Sequence, residues 1–201
     1  MKKVIAGGIF ILAVMAIGLY LGNSNNGKIG ADTWPGTVSL SASVATQLTC
    51  AFSGETAVAF GTLVSGTPKS SAGTTLACST NAANGYTLGL DDAGPTAADS
   101  ALKNTTADVY IPDYSGTLAI PTAWTGTGLG VTMTSATTNY LAKWSDGANY
   151  MGIPSTTTTA HTVNAPAVSD ASSWKFQIDV PGNQKAGTYS GTVNFTINTV
   201  L

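Results

Sequence analysis

The chain has 201 residues, and only 9% of them are charged, against ~25% in ordinary soluble domains. Ten residues are acidic, all eight cations are lysines, and arginine is absent. Scattered lysines on an acidic chain build no phosphate-tracking surface, which argues against nucleic acid as a partner. One histidine and no arginine remove most routes to acid–base or phosphoryl-transfer catalysis, and 43% apolar content at low net charge opposes disorder.

The N-terminus comes first. Lys2 and Lys3 precede an uncharged run from Val4 to Leu21, which gives way to polar residues and then to Ile29-Gly30-Ala31. This is the layout of a secretory signal peptide over residues 1–31, and it predicts export to the cell surface or beyond. The apolar run is long enough, at ~1.5 Å per helical residue, to serve instead as an uncleaved anchor. Membrane contact is expected only through this segment. A prepilin leader would carry a Glu near the start of the run, and none is present. Residues 32–48 read as an N-terminal extension and residues 49–201 as one domain, a length that suffices for a real core.

Val38, Leu40, Ala42 and Val44 alternate with Thr37, Ser39, Ser41 and Ser43, the period of a half-buried strand. Cys50 and Cys78 follow. In an exported chain two cysteines suggest one disulfide, worth about 3.6 kcal/mol by loop entropy. Two buried thiols are the other reading, and a metal site lacks ligand spacing. Further strands are expected at Ala57–Leu63, Thr74–Ser79, Tyr86–Leu90, Ala107–Ile111, Leu129–Thr134, Trp174–Val180 and Tyr189–Ile197. Turn signals separate them, including Asn84-Gly85, Asp146-Gly147 and Pro181-Gly182-Asn183. Residues 91–128 and 145–172 read as long loops, and no helical periodicity runs over ten residues. At most, Ala97–Leu102 forms one turn. Short strands with frequent turns indicate an all-β sandwich or barrel.

Several segments resemble a known family. They are Val38-Ser-Leu-Ser-Ala-Ser-Val44, Cys50, Phe60-Gly-Thr-Leu63, Leu76-Ala-Cys-Ser-Thr80, Gly85-Tyr-Thr-Leu-Gly-Leu90 and Ala186-Gly-Thr-Tyr-Ser-Gly-Thr-Val193. Their order is similar to that of the spore coat protein U domain and the archaic chaperone–usher pilins, over about residues 36–91 and 173–198. The resemblance implies an Ig-like Greek-key β-sandwich after the N-terminal apolar segment, a disulfide between early strands, and a subunit of a surface fibre or coat. It also implies assembly by β-strand addition, in which one subunit's extension completes another's sandwich. Val38, Leu40, Ala42 and Val44 would be the donor residues, and the partners would be further copies or related surface subunits. From alternation alone, the same residues could form the first strand of a complete monomeric sandwich. The family's terminal aromatic has no counterpart in Asn198-Thr-Val-Leu201, a departure that weighs against the chaperone-dependent route.

No other motif carries a chemistry, and no catalytic residue, metal or cofactor is expected. His161 sits among Thr, Ala and Asn and reads as an exposed loop residue without a nominated partner. Asp91, Asp92 and Asp99 lack the spacing of a calcium loop. Gly126-Thr-Gly-Leu-Gly130 precedes a strand-like segment, so it is no nucleotide loop. Asn104-Thr-Thr106 and Asn194-Phe-Thr196 match the glycosylation acceptor pattern, as expected by chance in a Thr-rich chain. Trp124 and Trp144, placed in the loop-rich middle, are the aromatics that could stack on a sugar. A monomeric glycan-binding adhesin is therefore the alternative reading. Trp174, alternating with Phe176, reads as core.

Overall fold

A computed structural model describes residues 39–92, 100–104 and 106–201. The leader, Val38 and Asp99 lie outside them. Ser43–Leu201 forms one compact unit; of the separate unit Met1–Ala42 only residues 39–42 are described.

The unit is all-β, built from antiparallel sheets. In the larger sheet β1 (Leu48–Gly54) pairs with β3 (Thr74–Thr80), and β3 pairs with the long β11 (Ala167–Asp179). β11 also pairs with the short β2 (Lys69–Ser70) and with β8 (Gly128–Ala136). The second sheet runs β10 (Thr158–Val163), β4 (Tyr86–Asp92), β12 (Val193–Thr199). Two small ribbons, β5 (Leu102–Asn104) with β6 (Val109–Ile111) and β7 (Thr122–Ala123) with β9 (Asn149–Tyr150), fill the middle of the chain.

Period-2 alternation explains which face each strand buries. β3 alternates strictly, with Leu76 and Cys78 inward and Thr75, Ala77 and Ser79 outward. On β11, Trp174, Phe176 and Ile178 point inward, and on β4 Tyr86, Leu88 and Leu90 meet them from the other sheet. Ring contacts cross the gap between sheets, such as Trp174 to Phe195 at 5.8 Å between centroids. This is a β-sandwich packed around one core. Tyr189 marks the corner between β11 and β12, where its hydroxyl donates to the Lys185 carbonyl at 2.6 Å.

Several expectations are corrected. The first strand begins at Leu48, whereas residues 39–47 form no strand and are exposed. Ala57–Leu63 is not a strand either, although Val58, Phe60 and Leu63 pack half-buried against the core. Residues 145–172 are less loop-like than their composition suggests. They hold β9, β10 and the start of β11, because small polar residues such as Thr158, Thr159 and Thr162 pair well on a pleated surface. A 3-10 turn at Ala142–Gly147 carries Trp144 inward, aided by left-handed backbone at Ser145 and Asp146.

Candidate functional site: an apolar groove between two strand edges

Among the described residues two strands that flank one cleft each leave an edge open. β1 pairs only with β3, and β12 only with β4. Neither strand contains a charge or a proline, the devices that usually blunt an edge. Phe52 on β1 lies 5.3 Å from Phe195 on β12, edge to face, so the two edges approach each other across the core.

Between them opens a groove of about 510 Å³. Its floor is Phe176, Thr74 and Leu129; Phe52 and the segment Glu55–Phe60 form one wall, Ala101, Leu102, Gly191–Val193 and Phe195 the other. Glu55 is the only ionisable lining residue, and its carboxylate already accepts the Ala72 N–H at 2.7 Å. Phe52, at 46% exposed, is a large apolar side chain that its own strand should bury. The wall segment strengthens this picture. Val58 and Phe60 alternate inward as strand residues would, yet among the described residues the main chain from Thr56 to Leu63 pairs with no other main chain.

The disulfide joins the same edge strand two residues before Phe52. Cys50 and Cys78 stand opposite each other in the β1–β3 register and are bonded, tying the edge strand to the sheet. Of the four proposed donor residues, Leu40 and Val44 are 91% and 85% exposed, Ala42 is also exposed, and Val38 lies outside the described residues.

The aromatics named as sugar contacts sit differently. Trp144 is fully buried, 5.9 Å from Trp174 and edge-on to it, so it presents no face to a ligand. Trp124 is half-buried and stacked on Tyr114 at 4.4 Å, with Tyr150 against its edge. One face of that indole is thereby used.

His161 is not in a loop. It lies on β10, 3% exposed, with Nε2 3.7 Å from an Asp170 oxygen, too far for a hydrogen bond. Asp170 is satisfied instead by the Tyr86 hydroxyl at 2.8 Å and the Thr138 hydroxyl at 2.6 Å. Burial pushes the imidazole below its ordinary range, and the Asp170 charge opposes this only in part. Burial, then the bond to Asp170, holds the Tyr86 phenol well above its usual value. This polar cluster joins the two sheets inside the core.

Asp91 accepts from Thr157 and from Asn194 (2.8 Å), so its carboxylate is engaged within the protein. Among the described residues no group of three His, Cys, Asp or Glu is placed to hold a metal. Asn104 is 4% exposed, and its side-chain carbonyl accepts the Thr106 and Ala107 N–H groups. No described helix is long and apolar enough to cross a membrane.

The resemblance to strand-adding subunits implies an apolar groove, but the sequence singles out none of its lining residues as such. The signal for it was Phe52, an aromatic alternating with Leu48 and Cys50 in a strand that the stronger alternation upstream obscured. No family model, no curated protein and no solved structure matches this chain.

Proposed function

We propose that this chain is a non-enzymatic structural subunit of an extracellular surface fibre or coat that assembles by β-strand addition. One observation carries the reading: an apolar groove lies open between two uncharged strand edges in a chain whose extension alternates apolar and small polar residues. Such a groove is closed by an extended strand that lends main-chain hydrogen bonds to the edges and side chains to the cleft. Residues 38–44 have that composition. Burying Val38, Leu40 and Val44 would contribute ~1.5–3 kcal/mol each before ordering costs.

The strand order supports an Ig-like Greek-key arrangement. β1, β3, β11 and β8 make one sheet, β10, β4 and β12 the other, and the free edge of β12 is where a further strand would pair. The Tyr189–Lys185 bond is similar to the tyrosine corner of such sandwiches, though no cysteine follows it here. The resemblance to spore coat protein U domains and archaic pilins points the same way, and the disulfide suits an oxidising compartment outside the cell. Head-to-tail addition whose rotation does not close gives an open filament, the product this reading predicts.

The test is Leu40→Glu with Val44→Glu in the full chain. Purified wild-type protein should give filaments by electron microscopy and high-mass species by light scattering. The double variant should stay monomeric with its disulfide intact. Equal assembly of both proteins would refute the reading.

A further inference from the structure

The Asn-x-Thr pattern occurs at Asn104-Thr-Thr106 and at Asn194-Phe-Thr196, and the fold treats the two copies differently. Asn104 ends the short strand β5 and is buried. Its side-chain carbonyl is engaged by two main-chain N–H groups, and a methyl group added at Gly187 would collide with its amide nitrogen. A sugar on that nitrogen has no room in this fold.

Asn194 stands in the opposite situation. It is the second residue of β12 and is exposed. Alternation sends its neighbours Val193 and Phe195 against the core, so Asn194 and Thr196 share the outward face of the strand. The groove is lined by Val193 and Phe195 but not by the residue between them. A substituent on Asn194 therefore stands off the outer surface, clear of the groove and of the main-chain edge. The amide nitrogen donates to Asp91 Oδ1 at 2.8 Å, and the Thr157 hydroxyl donates to the other oxygen of that carboxylate. A side-chain amide nitrogen carries two hydrogens and keeps one when a sugar is attached, so this anchor survives modification and holds the first sugar in place.

We infer that Asn194 is the attachment site of an N-linked glycan, transferred from a lipid-linked oligosaccharide outside the cytoplasm. In that step the amide nitrogen bonds to the anomeric carbon of the sugar and loses one proton. The carbon–oxygen bond to the lipid pyrophosphate breaks, and the pyrophosphate departs with its lipid. The inference rests on the export part of the reading above, because such donors meet exported chains beyond the membrane, and it adds a modification to it. A glycan there also suits the composition. Few residues are charged and none on β12, so hydrated sugar hydroxyls supply beside this edge the solubility that lysine or glutamate supplies elsewhere.

The experiment uses the full chain isolated from the surface of the cells that make it, or from their medium. Trypsin cuts after Lys185, so the peptide 186–201 contains Asn194 and no second acceptor pattern, and Asn104 falls in the separate peptide 104–143. Mass spectrometry should find 186–201 carrying the mass of an oligosaccharide, with fragmentation placing it on Asn194, and 104–143 bare of N-linked sugar. Thr196→Ala, which spoils the pattern and leaves the Asn194–Asp91 bond, should lose that mass completely, whereas Thr196→Ser should keep it. Near-UV circular dichroism checks that the variants fold, and Asn194→Gln takes the place of Thr196→Ala if the latter does not. A bare 186–201 peptide from exported chain, sugar on Asn104 in its stead, or sugar that persists in Thr196→Ala overturns the inference and leaves the fibre reading standing. A chain found only in the cytoplasm overturns export, and the inference with it.

Discussion

His161, the chain's single histidine, lies inside the sandwich beside a carboxylate that two hydroxyls already satisfy. Its surroundings disfavour the charged ring, so the folded protein holds the imidazole below the value of about 6.5 expected for the unfolded chain. The unfolded state therefore binds the proton more readily. Stability from this group is full above neutrality and falls as pH drops through 6.5 toward the lower folded value. Urea unfolding at pH 8, 6.5 and 5 should show that decline in the wild type, and His161→Gln should flatten it in this window. An equally steep slope in the variant would remove His161 from the account. The ring's placement was not legible in the sequence. Its neighbours Ala160 and Thr162 carry no apolar signal, and the bulge between Thr159 and His161 shifts the register that alternation would have assigned.

Elements reveal where alternation is a reliable guide. β3, β4 and the second half of β11 were readable because each puts one face against the core, which forces every second residue to be apolar. β1 was obscured for the opposite reason. Only Leu48 and Cys50 are partly covered, Phe52 faces the groove, and the cleaner pattern lies upstream in residues that form no strand. A segment that alternates without being buried in its own domain carries the same signature as one that is. β1 is therefore an element held chiefly by one partner strand and one covalent bond. Replacing both Cys50 and Cys78 by Ala should lower unfolding stability by about 2–5 kcal/mol. It should also loosen the Phe52 wall, so that hydrogen exchange at Ala51–Ser53 rises more than at Leu88–Leu90. Uniform exchange across both strands would show that β1 does not depend on the bridge.

For the whole molecule, low charge decides what kind of association is open to it. The net charge is −2, and the groove contains one ionisable side chain, already hydrogen-bonded. Assembly through such a surface draws on apolar burial and main-chain pairing, neither of which is screened by salt. The rate and extent of assembly should change less than about twofold between 0.05 and 0.5 M sodium chloride, where a charge-steered association would slow markedly. A steep salt dependence, measured by light scattering, would point to a different contact surface. The place of the groove is not legible in the composition. An open cleft depends on how β1 and β12, more than a hundred residues apart, come to face each other, and no local pattern encodes that.

The position of the disulfide has a mechanical consequence. Tension applied through the extension enters the domain at Leu48 and peels β1 from β3 one rung at a time. Two residues later it meets Cys50, which is bonded to Cys78 in the middle of the neighbouring strand. Peeling stops there, and the load passes through a covalent bond into β3, whose other side is paired along most of its length with β11. Phe52 and the groove wall lie beyond the stop. A domain pulled at one end therefore keeps the groove at the other end intact, which on the strand-addition reading lets it carry load without releasing a bound strand.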